Sequence, residues 1–230
     1  MSLKRKPPEG NVRRVAPIGQ NSRGNMTNKA GKRVQFESFA EHVYALRLDR
    51  DQTVKDYQSQ PLRIPFDDPE KKGQSYTPDF MVWRHNGQIE IHEITRTERQ
   101  SRTCIQLREK AAQKFCQEKG WQYLIYNEKS LPQVTEATNL LFLYAYRPTI
   151  YFNNQVAEEV LRQLDEQRKV PLRVLVNNLV QLLDLPIGTA LPALYHLLWH
   201  GKIATDLQTM LALSGLPSAH TMVWRNQEDV

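Results

Sequence analysis

The sequence predicts an α/β fold, a mixed sheet flanked by helices, followed by a mainly helical second domain. Three observations carry this reading. Residues 36–126 alternate between a helical apolar stripe and short β-branched or aromatic runs, a strand–helix–strand step closes that region, and beyond Leu131 the periodicity is helical almost throughout.

Taken in order, Phe36, Phe39, Val43 and Leu46 recur at three- to four-residue spacing and predict a helix up to about Leu48. Residues 54–65, 76–84 and 88–95 are short and punctuated by Pro, Gly or Asn, as strands are, with His85-Asn86-Gly87 as a hairpin turn. Residues 102–119 return to helix, with Cys104, Leu107, Ala111 and Phe115 on one stripe and Gly120 placed as C-cap. Residues 121–126 read as a buried strand, and a crossover of this kind implies partly parallel pairing. Helices are then expected near 134–146, 154–168, 171–184 and 187–200, and short strands near 202–206 and 220–225 around a Gly/Pro break. Three helices followed by a small hairpin give a winged-helix-like arrangement. The expected organisation is an arm over 1–33, an α/β domain over 34–146 and a helical domain over 147–230, with 147–153 as linker.

Composition excludes several classes. The chain has 230 residues, 40% of them hydrophobic, and no run near the ~18 apolar residues of a membrane span. Its charged N-terminus does not read as a secretory signal. Two cysteines, Cys104 and Cys116, are too few for a disulfide framework or a Cys-rich zinc module, so a reducing, cytoplasmic setting is expected. The net charge of +6 lies entirely in residues 1–33, where nine bases face the single acid Glu9. That stretch lacks either periodicity, so it is expected to stay disordered until it meets a partner. Lys4, Arg5, Lys6, Arg13, Arg14, Arg23, Lys32 and Arg33 then read as DNA-phosphate contacts that add salt-dependent affinity.

The chemistry-bearing constellation is Glu41, Asp79 and Glu93. Pro78 denies a ladder donor just before Asp79, so the carboxylate opens a strand. Glu93 and Thr95 lie two apart and share one side of the next strand. Asp79 and Glu93, at the same end of adjacent strands, are placed to share a divalent cation, with Glu41 completing an oxygen-rich pocket. Mg²⁺ or Mn²⁺ prefers such ligands and can activate a water against a phosphodiester.

These residues carry a resemblance. SRGNMTNKAGKRVQFES (22–38), the Ser38-Phe39-Ala40-Glu41 helix start, LDRDQTVKDYQSQPLRI (48–64), YTPDF (76–80) and Glu93-Ile94-Thr95 stand in the order of the TnsA endonuclease subunits of heteromeric cut-and-paste transposases. The resemblance implies a PD-(D/E)xK restriction-endonuclease-like core with a winged-helix-like second domain. It implies metal-binding roles for Glu41, Asp79 and Glu93, and nicking of 5′ strands at transposon ends in double-stranded DNA. The implied partners are a DDE-type transposase and, through the second domain, an AAA+ ATPase regulator. A bacterial cytoplasmic protein that joins the nucleoid when assembled on DNA is expected.

The sequence also departs from that family. Thr95 stands where the motif lysine would orient water and balance charge on phosphorus, and a hydroxyl cannot replace a cation. Arg96, Arg102 or Lys110 could substitute; the alternative trio Glu90-Ile91-His92 shortens the spacing from Asp79 to eleven residues. Two other readings stand beside the endonuclease: a scaffold of impaired nuclease fold bridging transposase and regulator, and a stand-alone restriction or repair nuclease.

Other candidates have plainer readings. Glu37 is expected to be a solvated helix charge and Gln106 a surface residue. His196 and His200 have zinc-compatible spacing but no third ligand, and read as helix-face histidines. Cys104, Cys116, Trp83 and Trp121 read as core. Residues 187–200 contain no Lys or Arg, and Leu191, Leu194, Leu197, Leu198 and Trp199 offer more apolar surface than one core face needs, so part of this helix is expected to dock a protein.

Overall fold

The computed structural model describes residues 23–68, 71–213 and 216–226. The chain forms two compact units that meet in sequence at Leu131 and Pro132.

The first unit opens with a hairpin, β1 (Gly24–Thr27) and β2 (Arg33–Phe36), where only a disordered arm was expected. Its stability comes from polar anchoring that periodicity does not reveal. Asn28 Nδ2 donates to Asp56 and to the Tyr57 carbonyl, and Lys29 Nζ donates to the carbonyls of Asp51 and Val54 at 2.6 and 2.9 Å. Lys32 pairs with Asp56, so of the basic residues assigned to DNA this one also holds the fold together. Lys4, Arg5, Lys6, Arg13 and Arg14 lie outside the described residues.

Helix α1 (Phe39–Arg50) starts at Ser38, whose hydroxyl accepts from the Glu41 amide and satisfies one of the unpaired donors of the first turn. Its buried side is Val43, Tyr44, Leu46 and Leu48; Phe36 belongs to β2, and Phe39 is 52% exposed, so the apolar stripe begins one turn later than its spacing suggests. Next come β3 (Val54–Ser59), a hairpin of β4 (Ile64–Asp68) and β5 (Lys71–Tyr76), then β6 (Phe80–Arg84) and β7 (Ile89–Ile94). The single strand expected over 54–65 is therefore split, at Gln60 and Pro61. Gln60 has φ +48°, a left-handed turn that ends β3. A short α2 (Thr97–Gln100) precedes the crossover helix α3 (Thr103–Lys119), which Gly120 terminates at φ +68°, and β8 (Gln122–Tyr126) follows.

The sheet order is β3-β6-β7-β8, antiparallel except for the parallel β7–β8 pair across α3. Alternation along β7 sorts its side chains. His92 faces α1, with Tyr44, Phe80 and Tyr126 around it, while Ile91 packs with Met81 and Cys116 beneath α3. Ile64, Phe66 and Tyr76 of the β4–β5 hairpin cover the rest of α3. Fully burying Phe80 or Ile91 contributes roughly 1.5–3 kcal/mol each. Cys116 lies in that core as expected, but Cys104 is exposed at the start of α3.

The second unit contains α4 (Val134–Tyr144), α5 (Asn154–Gln167), β9 (Lys169–Pro171), α6 (Leu172–Leu182), α7 (Ile187–Trp199), β10 (Ile203–Thr205), the two-residue strands β11 (Ala212–Leu213) and β12 (Leu216–Pro217), and β13 (Met222–Arg225). Strands β10-β13-β9 form an antiparallel sheet. The boundary falls about fifteen residues before the expected linker because α4 belongs here. Buried Asn139 donates to the carbonyls of Leu207 and Thr209 and accepts from the Leu211 amide, tying α4 to a distant loop.

Helix α7 is the centre of this unit. Leu191, Leu194, Leu197, Leu198 and Trp199 are all at most 7% exposed. The docking role expected of them is therefore wrong: they fill the unit's own core, because α4, α5 and α6 all pack against one helix. His196 Nδ1 donates to the Tyr146 carbonyl and His200 Nε2 to the Arg147 carbonyl, at 2.8 and 2.9 Å. With a nitrogen of each ring committed to backbone, the pair serves to bind the chain just after α4.

Candidate active site

Pro78 and the end of β3 deliver Asp79 to the edge of the sheet. The Gln60 amide donates to the Asp79 carbonyl at 2.8 Å, and the register Phe80↔His92 sets Asp79 opposite Glu93. Asp79 Oδ2 accepts from the Ile94 amide at 2.7 Å. Two carboxylates thus meet where β6 begins and β7 ends.

Their electrostatics record the crowding. Burial raises the Asp79 carboxyl well above the usual range, and repulsion from Glu93, Glu41 and Glu37 adds to it, against the opposing Ile94 amide. Burial pushes Glu93 up to about 8; Arg108 opposes the rise, while Glu109 and Glu41 reinforce it. Glu93 Oε2 is shielded from solvent and has no hydrogen-bond partner among the described residues. A buried, unpaired carboxylate oxygen costs free energy unless something positive meets it.

Glu41 contributes differently. Its Oε2 accepts from the Glu37 amide at 2.8 Å and its Oε1 from the Ser38 hydroxyl at 2.9 Å, a close relative of the capping box. The carboxylate adds negative field at Asp79 and Glu93 while folded back on its own helix start. Among the described residues no three His, Cys, Asp or Glu side chains converge as a ready metal cage. Asp79 and Glu93 nevertheless fit a hard cation, since Mg²⁺ is commonly held by one or two carboxylates together with substrate phosphates.

The remaining candidates fall into place around this pair. Thr95 follows β7, with its amide bonded to the Tyr126 carbonyl. Arg96 is 72% exposed and lies 3.7 Å from Glu98. Arg102 is exposed at the N-cap of α3, and exposed Lys110 lines a groove with Ile64, Phe66 and Glu118. Gln106 is exposed, as expected. Glu37, expected to be a solvated helix charge, precedes the helix and accepts from Gln60 Nε2 at 3.1 Å. In the alternative trio, Glu90 and His92 face α1 while Ile91 faces α3: His92 bonds Tyr44 and Glu90, and Glu90 bonds Arg84.

Sequence reasoning missed Gln60, Arg108 and Glu109. Gln60 lies within the 48–64 block but is an uncharged residue before a proline at a strand end, and the two α3 residues lie off the apolar stripe of their helix.

One pH dependence follows. Because folded Glu93 binds its proton more tightly than the unfolded chain does, it stabilises the protein below pH 4.5 and that stability is lost as pH rises through about 8. In chelating buffer, the melting temperature of Glu93→Gln minus that of the parent should therefore grow from pH 5 to pH 8. A constant difference would contradict the assigned electrostatics.

A four-stranded mixed sheet between two helices, with paired acids at the end of its central strands, constitutes a nuclease-like α/β core. Residues 51–128 match the family model described as TnsA-like endonuclease N terminal, and residues 133–207 the one described as TnsA endonuclease C terminal. The chain belongs to the TnsA-type endonuclease subunits, so it works on DNA beside a transposase partner. No curated protein sequence matched the chain.

Proposed function

We propose that this subunit makes metal-dependent 5′-strand nicks at transposon ends while the DDE-type partner cuts and joins the 3′ ends. The observation that carries the reading is the Asp79–Glu93 pair: two crowded carboxylates, one with a shielded oxygen that meets no hydrogen-bond partner among the described residues. Asp79 and Glu93 would hold Mg²⁺ or Mn²⁺, which lowers the pKa of a bound water and offsets phosphate charge. Glu41 holds the start of α1 in place and adds negative field that strengthens cation binding. The Ile94 amide fixes the Asp79 carboxylate so that it does not have to reorganise during the reaction.

Mapping both strand breaks in a reconstituted excision reaction tests this. Scission of 5′ strands is expected with Mg²⁺ or Mn²⁺ and none with chelator. Absence of 5′ scission in both metals would leave the scaffold reading, which the threonine at position 95 favours. Cutting without the transposase would favour a stand-alone nuclease.

The order α5-β9-α6-α7-β10-β13 supports a winged-helix assignment for the second unit. Its third helix, the one such domains use to read the major groove, exposes only its first turn, residues 187–189, which carries no Lys or Arg, and is largely buried from Ala190 on, which points away from base recognition. We assign this unit to an AAA+ regulator, through the apolar residues that do face outward at the α6–α7 turn, Leu182 at 62% and Ile187 at 48% exposure. Leu182→Asp with Ile187→Asp should weaken pull-down of the regulator at least tenfold, as losing an apolar anchor does. Unchanged pull-down would reject that surface.

A further inference from the structure

The nuclease reading leaves a charge problem. A phosphodiester under attack accumulates negative charge on its non-bridging oxygens, the site already holds Asp79, Glu93 and the field of Glu41, and Thr95 brings no cation. Of the cations that neighbour the motif in sequence, Arg96 points to Glu98 and both Arg102 and Lys110 are exposed. The structure instead brings in a residue from the second turn of α3.

Arg108 lies on the α3 side of the sheet, the side to which alternation sends Glu93. Its guanidinium carbon sits 5.6 Å from the centre of the Phe66 ring, and Phe66 packs in one cluster with Tyr76 and Tyr123. Those two tyrosines feel the charge of Glu93. Arg108 Nε is shielded from solvent and has no hydrogen-bond partner among the described residues. A planar group held against an aromatic face with a dry, unused N–H is oriented for a ligand, since guanidinium donors match phosphate oxygens in pairs.

We propose that Arg108 is the catalytic cation of this enzyme, replacing the lysine absent at position 95 by donating to the non-bridging oxygens of the scissile phosphate. The proposal rests on the reading of Asp79 and Glu93 as the nuclease site. In the step, the water oxygen bonds to phosphorus as the P–O3′ bond breaks. The water's proton passes to solvent and the departing 3′ oxygen takes one up, leaving a 5′-phosphate and a 3′-hydroxyl. The guanidinium donates hydrogen bonds that stabilise the extra negative charge of the pentavalent phosphorus.

The test uses the full chain with its transposase partner, transposon-end DNA and Mg²⁺ or Mn²⁺. In Arg108→Met the 5′ cleavage rate constant at saturating DNA should fall about 10²-fold, the usual loss when one transition-state donor is removed, while DNA affinity stays near that of the parent. Arg108→Lys keeps the charge and should lose less. Adding Thr95→Lys to Arg108→Met returns a cation to the motif position and should recover at least tenfold, a rescue that a purely structural role for Arg108 does not predict. Cleavage by Arg108→Met within about threefold of the parent overturns the proposal and leaves the acid pair standing. So does a loss that merely tracks the fraction of unfolded protein. A parent protein that cuts in neither metal overturns the nuclease reading and the role of Arg108 with it.

Discussion

Asp79→Asn is expected to eliminate 5′ scission at transposon ends by more than about 10³-fold while 3′ joining by the partner continues, so that excision gives way to cointegrates. Losing a cation ligand removes more than the roughly 10²–10³-fold that a single transition-state donor supplies. Asparagine keeps an acceptor for the Ile94 amide, so the turn into β6 survives. It also removes a charge that Glu93, Glu41 and Glu37 repel, so in chelator the variant should melt at or above the parent temperature. A variant that is more stable and inactive identifies a functional carboxylate, because a merely structural one would show the opposite pairing. Undiminished 5′ cutting by Asp79→Asn would refute the site, and a lower melting temperature in chelator would refute the account of its electrostatics.

The same residues show how far the sequence is legible. Pro78-Asp79 and the alternation Glu93, Thr95 are local signals, and the sheet places Asp79 opposite Glu93 as those signals imply. The crossover was equally readable, because Gly120 and the stripe along 102–119 fix where α3 ends. Three things were not. The β1–β2 hairpin is held by Asn28 and Lys29 reaching carbonyls and carboxylates some 20 to 29 residues away, which no periodicity encodes. Strand β9 is three residues between two strong helices, entered through Arg168 at φ +46°, and pairs only with a strand more than fifty residues on. Helix α7 looked too apolar for one core face because it has more than one: α4, which the expected boundary had assigned to the other domain, packs on it too. The site followed the same rule. Acids set by strand register were visible, whereas Arg108, whose placement depends on the β4–β5 hairpin lying over α3, was not.

Glu90→Ala should destabilise the protein by about 3 kcal/mol, the lower end of what breaking a buried ion pair costs, because it strips two partners at once. Glu90 Oε2 lies 2.9 Å from Arg84 Nη2 and 2.8 Å from His92 Nε2, and the Arg84 and Glu90 side chains are only 18% and 6% exposed. Arg84 also reaches Asp51 at 2.8 Å, and His92 meets the Tyr44 hydroxyl at 2.8 Å, so the network joins β6, β7 and α1. Removing the carboxylate leaves a half-buried guanidinium and a fully buried imidazole each short of a partner. Protons should report the same network. Burial opposes ionisation of Glu90, but the bonds from His92 and Arg84 outweigh it and bring the carboxyl down to about 2. This depressed group stabilises the fold above pH 4.5, and that contribution is lost as pH falls toward 2. Burial holds His92 below the usual histidine range, so acidification through pH 6.5 also favours the unfolded chain, which takes up the proton more readily. Urea unfolding of the parent at pH 7 and pH 4 checks both, with lower stability expected at pH 4, and Glu90→Ala is compared with it at pH 7. A loss under 1 kcal/mol at pH 7 would mean that Arg84 and His92 find other partners. Because the network lies on the α1 side of β7, the surviving folded fraction of Glu90→Ala should cut 5′ strands at the parent rate; a proportionate loss of chemistry would return Glu90 and His92 to candidacy for the active site.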